Sequence, residues 1–174
     1  MNIKLLLGDI TKLSLNDADV IVNAANKYLI CGGGVDKAIH MAAGKELQKE
    51  CNTLGGCKYG EAKLTKAYNL PFKGIIHTVA PIKVPDFYAK SVNYDQYQLL
   101  KNCYINSLQL AFDNGFKKIA FPALGCGVYG WKYEDAFPLA LEIVKNFLNS
   151  HSDMEVLFIF FEEDGYEICK KIFN

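Results

Sequence analysis

The chain has 174 residues, of which 51% are hydrophobic and 22% charged, proportions typical of a soluble globular protein. This length suits one domain with a sizeable core, so we predict a single domain over residues 1–174. Nineteen basic and nineteen acidic residues give no net charge, which argues against nucleic acid as a partner, because nucleic-acid binders carry a basic excess.

Strand and helix signals alternate along the chain. In order, we predict strands at 3–7 and 20–22, a helix at 35–51 that breaks at Gly44, and strands at 61–66 and 74–79. After a loop at 81–93 come a helix at 94–114, a strand at 119–121, a helix at 134–148, a strand at 156–161 and a helix at 164–173. Buried strands interleaved with helices indicate an α/β fold, a three-layer α/β/α sandwich with a mixed, mostly parallel sheet.

The segment after the second predicted strand carries the strongest signal for a ligand. It reads Asn23-Ala-Ala-Asn26, then three glycines at 32–34, then Val35-Asp36 at the start of a helix. Glycines let bare backbone approach a ligand, and the helix N-terminus offers unpaired N–H groups to an anion. The segment is not a phosphate-binding P-loop, because no Gly-Lys-Ser/Thr follows, and it lacks the dinucleotide spacing of glycines. A tight turn remains the alternative.

A second glycine-rich loop, residues 123–130, follows the predicted strand at 119–121. The carboxyl ends of parallel strands meet at one edge of a sheet, so both loops should open on the same side. Two loops rich in exposed backbone would form a cleft suited to a pyrophosphate, which backbone amides hold without lysine.

The ends of the chain and its cysteines argue against several other classes. The first apolar run stops at Gly8-Asp9, unlike a signal peptide, and the longest runs are too short to cross a bilayer. We therefore expect a cytoplasmic protein with no membrane partner. The six cysteines form no C-x-x-C pair and only three histidines accompany them, so we expect reduced thiols and neither a metal nor another cofactor.

Several ordered blocks resemble a macro domain, and specifically its MacroD-type branch. They are Gly8–Thr11, Asn23–His40, Leu70–Val79, Cys103–Leu108 and Phe121–Gly130, which together span nearly the whole chain. The family binds ADP-ribose, and MacroD-type members remove ADP-ribose from acidic side chains and deacylate O-acetyl-ADP-ribose. The resemblance implies ADP-ribose, its esters and mono-ADP-ribosylated proteins as partners.

At the adenine end, the resemblance assigns a role to two side chains. Asp9 matches the carboxylate that accepts a hydrogen bond from the adenine amino group, with the Ile10 backbone beside it; the alternative is an aspartate that caps a turn with Thr11. Phe161 stands where the family places an aromatic against the adenine, and its alternative is core packing.

At the distal ribose, the resemblance implies a catalytic pair, Asn26 and Asp36. Asn26 would bind the ribose, and Asp36 would orient or activate the attacking water; a helix-capping role is the alternative for Asp36. The helix dipole would keep Asp36 ionised, which favours positioning of water over proton abstraction. His40, four residues later, is either an orienting group or a core histidine. The remaining binding residues of this segment are Asn23, which mainly supports the loop, Ala24, Gly32, Gly33, Gly34 and Val35.

In the second loop, backbone N–H groups would hold the phosphates and an aromatic ring would border the distal ribose. The matching residues are Gly125, Cys126, Gly127, Val128 and Tyr129. Two departures from the branch occur: Cys31 replaces the first of four glycines, and Gly125-Cys126 replaces Ser-Thr. A lowered thiol pKa would be needed to make Cys126 a nucleophile, for which the branch has no precedent.

With these matching residues, the resemblance implies a metal-independent hydrolase of ester-linked mono-ADP-ribose that releases ADP-ribose. Asn26 and Asp36 would hold a water near the substrate's own diphosphate, where positioning and fixed dipoles lower the barrier. Two alternatives stay open: a non-catalytic ADP-ribose-binding module, and a phosphatase acting on ADP-ribose 1″-phosphate.

Overall fold

Strands and helices alternate in the computed structural model, which describes residues 2–174. The strands are β1 (Ile3–Leu7), β2 (Val20–Ala24), β3 (Ala62–Thr65), β4 (Gly74–Thr78), β5 (Lys118–Phe121) and β6 (Glu155–Phe160). The helices are α1 (Gly34–Ala43), α2 (Lys45–Cys51), α3 (Asp86–Ser91), α4 (Gln96–Asp113), α5 (Tyr133–Ser150) and α6 (Glu163–Phe173), and a 3-10 helix spans Ile10–Lys12. Within residues 2–174, no helix combines the length and hydropathy that crossing a bilayer requires.

One six-stranded sheet runs through the molecule in the order β1-β6-β5-β2-β4-β3. Every neighbouring pair is parallel except β3 and β4, which are antiparallel. The prediction of a mixed, mostly parallel sheet is therefore confirmed.

Helices cover both faces of the sheet and complete the three layers. Alternate residues of β2 show the division: Val20 and Val22 pack in the core with α4, α5 and α6, whereas Ile21 packs with α1, α2 and the 3-10 helix. Both cores consist largely of fully buried aliphatic and aromatic side chains. Burial on both sides explains why these strands read as continuous apolar runs.

Two details of the helices bear on the prediction. The predicted break at Gly44 is present, since this residue has φ +91° and separates α1 from α2. The predicted loop at 81–93 instead contains α3, whose six residues are too few to show helical periodicity. Its Asp86 accepts hydrogen bonds from Lys83 and Gln96, which tie the short helix to its surroundings.

The sheet topology places a crevice between β2 and β5. These neighbouring parallel strands lead to α1 and α5, which cover opposite faces of the sheet. The connections therefore diverge beyond the carboxyl ends of the two strands, which is where open α/β sheets bind their ligands.

Candidate active site

A cleft of about 910 Å³ opens beyond the carboxyl ends of β1, β2, β5 and β6. Its walls are the turn after β1, the glycine-rich loop before α1, the loop before α5 and the segment after β6. The predicted site residues that line it are Asp9, Ile10, Ala24, Asn26, Gly32, Gly33, Gly34, Val35, Asp36, Gly125, Cys126, Gly127, Val128, Tyr129 and Phe161.

Asn23 is the predicted binding residue that does not line this cleft. Because β2 continues to Ala24, Asn23 is a strand residue, and its side chain is fully buried. Its Nδ2 donates to Asp36 Oδ1 at 2.7 Å and lies 3.1 Å from His77 Nδ1. The structure thus corrects the assignment of Asn23: it contacts Asp36, and its side chain is not at the ligand surface.

The Asn26 side chain shapes the loop that follows it. Its Oδ1 accepts from the backbone N–H groups of Tyr28 and Ile30 at 3.1 and 3.3 Å, and its Nδ2 donates to the Ile30 carbonyl at 2.6 Å. Nδ2 carries two protons, so one remains for a ligand. These contacts hold Asn26 in one orientation at the cleft wall.

Gln48 of α2 braces the same loop from outside the cleft. Its Oε1 accepts from the Cys31 N–H at 2.8 Å, and its Nε2 donates to the Leu29 carbonyl at 2.9 Å. Leu29 has φ +55° and is buried, so a tight backbone bend is anchored on both sides. Cys31 keeps an exposed thiol at the position where the branch has a glycine.

Asp36 is the third residue of α1, and Gly33 is the N-cap, so a helix-capping role does not apply to Asp36. The residue is only 5% exposed. Its Oδ1 accepts from Asn23 and lies 3.3 Å from His40 Nε2, while Oδ2 accepts from the Gly32 N–H at 2.6 Å. Each carboxylate oxygen can accept two bonds, so one acceptor site on Oδ2 remains free.

The surroundings of Asp36 favour its ionised form. Burial alone would raise the pKa of this carboxyl, but contacts from His40, Asn23 and the Gly32 N–H outweigh burial and hold its pKa below the ordinary value. His40 is buried as well, and its contact with Asp36 gives it the orienting position.

Gly32 lies between the two predicted catalytic side chains. A Cβ built on Gly32 would stand 3.3 Å from Asn26 Nδ2 and 3.4 Å from Asp36 Oδ2. The two polar atoms therefore lie close to Gly32 on its side-chain side, and the cleft between them stays open because residue 32 has no side chain. A small ligand atom or a water bound in the cleft beside Gly32 would contact a donor and an ionised acceptor together.

Asp9 and Phe161, which also line the cleft, follow the neighbouring strands β1 and β6. Asp9 Oδ1 accepts from the Thr11 N–H and hydroxyl at 2.9 and 2.7 Å, so the turn-capping contact with Thr11 is present. Oδ2 receives no hydrogen bond from the part of the chain that the structure describes, and it is available to a ligand. Phe161 follows β6 and is 73% exposed, which excludes core packing.

The second loop offers a row of backbone donors. The Cys126 N–H bonds to the Ala123 carbonyl at 3.2 Å, whereas several neighbouring N–H groups make no hydrogen bond to residues 2–174: those of Gly125, Gly127, Val128 and Tyr129. Gly125 has φ +80°, and a Cβ there would come within 2.6 Å of the Trp131 ring. Only glycine fits this turn, and the free N–H groups can hold an anion.

Cys126 does not have the properties of a reactive cysteine. Burial raises the pKa of its thiol to about 12, so the side chain is protonated at neutral pH. It also lies seven residues before α5 begins at Tyr133, too far for the helix N-terminus to stabilise a thiolate.

Comparison with known proteins fits this geometry. The sequence profile described as Macro domain matches residues 22–140, which include both loops of the cleft. The chain belongs to the macro-domain family. The prediction drawn from the sequence blocks is confirmed.

Individual relatives cover almost the whole of this macro domain. It is 44% identical over 169 residues to the ADP-ribose glycohydrolase MACROD2 of Xenopus laevis, covering 96% of this chain but only 38% of that protein's length. It is 42% identical to the O-acetyl-ADP-ribose deacetylase of Escherichia fergusonii, covering 98% of this chain and 94% of the relative. The Trypanosoma brucei macrodomain in complex with ADP-ribose superimposes with a TM-score of 0.88 at 38% identity, over 99% of this chain and 69% of that one.

Two residues that support the site of this macro domain were not predicted. His77 lies beside Asn23 in the pairing of β2 with β4. It belongs to the block Leu70–Val79 that carried the resemblance, and its position in a predicted strand could have indicated this role. Gln48 carried no signal, because its contacts with Leu29 and Cys31 form only when α2 packs against the loop.

The cysteines of the macro domain are free thiols, and most are buried. Across residues 2–174, no group of three His, Cys, Asp or Glu side chains is placed to hold a metal ion.

Proposed function

We propose that this macro domain is a metal-independent hydrolase that cleaves ester-linked mono-ADP-ribose and releases ADP-ribose. Its substrates would be proteins modified on Asp or Glu, O-acetyl-ADP-ribose, or both. The names of the frog and bacterial relatives support the reaction class, and the trypanosomal complex supports the ligand. We further propose mono-ADP-ribosylated proteins as partners, on the basis of the family resemblance, and the cytoplasm as location.

The juxtaposition of Asn26 and Asp36 at Gly32 carries this proposal. A water bound in the cleft beside Gly32 would donate to the free acceptor site of Asp36 Oδ2 and accept from Asn26 Nδ2. The ionised Asp36 orients the water's oxygen toward the substrate, since a low pKa favours positioning over strong base catalysis. The attack breaks either the acyl–oxygen bond or the bond to the anomeric carbon, and both routes yield ADP-ribose and a carboxylic acid.

The phosphate end of the cleft needs no lysine to hold a diphosphate. The free N–H groups of the second loop and the first turn of α1 supply fixed dipoles that require little reorganisation on binding. A chain without net charge can therefore still bind a dianionic ligand.

Calorimetry with ADP-ribose, combined with a product assay in the presence of EDTA, tests the proposal. We expect binding, and release of ADP-ribose from an ester-linked adduct. Reaction in ¹⁸O-labelled water identifies the broken bond, because the label enters the acid or the ADP-ribose. Binding without turnover would establish a binding module, and release of inorganic phosphate from ADP-ribose 1″-phosphate would establish the phosphatase.

The adenine assignment leads to a prediction for Asp9. Asp9→Asn keeps an oxygen for the Thr11 cap but removes the charged acceptor at Oδ2, so we expect ADP-ribose to bind about tenfold more weakly, as loss of a charge-assisted bond implies. Asp9→Ala should bind as weakly and also lose about 1 kcal/mol of stability with the cap. Calorimetry and thermal unfolding of both variants measure this. An unchanged dissociation constant in Asp9→Asn would refute the assignment.

A second prediction concerns Cys126. Because its thiol is protonated at neutral pH, Cys126→Ala should retain wild-type single-turnover hydrolysis. Cys31→Ala, which removes the exposed thiol of the first loop, is the matched control. Loss of turnover in Cys126→Ala with intact ADP-ribose binding would contradict the assignment of the chemistry to Asn26 and Asp36.

A further inference from the structure

A line of buried polar side chains leads away from Asp36 into the sheet. Asn23 of β2, His77 of β4 and Thr65 of β3 are at most 3% exposed, and none of them lines the cleft. Asn23 Nδ2 is 2.7 Å from Asp36 Oδ1 and 3.1 Å from His77 Nδ1, and His77 Nε2 is 2.9 Å from Thr65 Oγ1. These three residues are called the relay below.

The far end of the relay determines where its protons lie. The Thr65 hydroxyl donates to the Lys66 carbonyl at 3.0 Å, and a carbonyl can only accept. Thr65 Oγ1 must therefore accept from His77 Nε2–H, which leaves Nδ1 as the unprotonated nitrogen. Nδ1 in turn accepts from Asn23 Nδ2, so the Asn23 amide donates in two directions: to Asp36 Oδ1 on one side and to His77 on the other, from which the bonds continue through Thr65 to the Lys66 carbonyl.

The charge state of His77 agrees with this pattern. Burial lowers the pKa of His77 to about 4, and nearby His40 lowers it as well. Asp36 and Glu50 act in the opposite direction but are outweighed. The ring is therefore neutral at physiological pH and holds one proton.

The opposite orientation of the Asn23 amide would disturb the active site. It would bring Asn23 Oδ1 to 2.7 Å from Asp36 Oδ1. Both oxygens are acceptors, so they would repel each other unless Asp36 took up a proton. It would also require the proton of His77 on Nδ1. In the present orientation Asn23 Oδ1 is buried without a partner in the described chain, a cost that the bonds from Nδ2 offset.

We propose that His77 is a positioning residue for hydrolysis: held by Thr65 as the Nε2–H tautomer, it selects the Asn23 amide orientation that keeps Asp36 ionised and aimed at the water. The proposal rests on the hydrolase function proposed above. It assigns influence on the reaction to Thr65, whose side chain lies outside the cleft.

Thr65→Val and Thr65→Ser form the matched test. Valine has the shape of threonine but no hydroxyl, whereas serine keeps the hydroxyl and loses only a methyl group. Without its acceptor, His77 no longer favours Nε2–H, and the Asn23 amide can turn. We expect the kcat of Thr65→Val to fall about tenfold and its KM to change little. This loss corresponds to one hydrogen bond to a charged group, here the bond from Asn23 to Asp36. Thr65→Ser should retain wild-type kcat.

Nuclear magnetic resonance distinguishes positioning from mere structural support. In the wild type we expect ¹⁵N spectra to show His77 as the Nε2–H tautomer, and in Thr65→Val a population of Nδ1–H together with a raised Asp36 pKa in a ¹³C carboxyl titration. If Thr65→Val does not fold, two His77 variants replace the two Thr65 variants. His77→Leu removes the acceptor for Asn23, and His77→Asn can restore an oxygen there.

The outcomes separate this proposal from the proposed function. A wild-type kcat and an unchanged Asp36 pKa in folded Thr65→Val would overturn the relay, as would equal losses in the Val and Ser variants. A wild-type protein without turnover would refute the hydrolase and the kinetic role of the relay. In that case the tautomer of His77 and the Asp36 pKa would still decide whether the relay holds Asp36 ionised.

Discussion

Asp36→Asn is expected to slow single-turnover hydrolysis of ester-linked ADP-ribose by about a hundredfold, the usual loss for one positioned catalytic group. The substitution keeps the size of the side chain but removes the charge that the His40, Asn23 and Gly32 contacts stabilise. ADP-ribose affinity should fall far less, because the water is held for the transition state and contributes little to ground-state binding.

Asn26→Ala is expected to show a comparable loss, since Asn26 Nδ2 also lies beside Gly32 and is the proposed donor to the same water. Both residues hold one water, so the double variant should be less impaired than the product of the single losses. Single-turnover rates with calorimetry in parallel measure this. Thermal unfolding serves as the control for Asn26→Ala, because that substitution also removes the bonds to Tyr28 and Ile30. Wild-type rates in both single variants would place the chemistry elsewhere.

Lowering the pH from 7 to 5 is expected to reduce the free energy of unfolding through the protonation of His77. The pKa of His77 is about 4 in the folded protein and near 6.5 in the unfolded chain. Between these values the unfolded chain binds a proton that the folded one does not, so stability falls as pH drops below 6.5. From pH 7 to pH 5, which is 1.5 units below the unfolded pKa, the loss is about 2 kcal/mol.

Urea unfolding at pH 7 and pH 5 tests this effect, with His77→Leu as the control. The variant should be less stable at pH 7 but lack this part of the pH dependence. Asp19 and Asp36 have lowered pKa values, so their contribution is lost only at more acidic pH and hardly affects the chosen window. Equal pH dependence in wild type and variant would show that His77 is not held neutral.

Much of the site follows from local patterns. The apolar runs predict parallel strands, and the carboxyl ends of parallel strands meet at one edge of a sheet. The loops after Val22 and Phe121 therefore lie at the same edge. The glycines between Asn26 and Asp36 likewise indicate close approach of backbone to a ligand, and Gly32 does separate the two side chains. Such features depend on strand direction and on the absence of side chains, both of which are local.

Roles that depend on burial could not be read from the same patterns. Phe161 is exposed, although strand phenylalanines usually pack in a core, because β6 ends one residue before it. Cys126 would need a lowered thiol pKa to act as a nucleophile, yet its burial raises that pKa to about 12. A pKa depends on atoms from distant parts of the chain, which no local spacing reports.

The sequence by itself determined the family and the order of the strands along the chain, and it placed the predicted catalytic pair in one segment, because each rests on residues close together in the chain. Only the tertiary structure decided that Asn23 supports Asp36 from within the sheet and that His77 stands beside it. β2 and β4 lie side by side although 54 positions separate Asn23 from His77. The hydrogen bonds that orient Asp36 arise from strand register, and register is set by packing of the whole sheet.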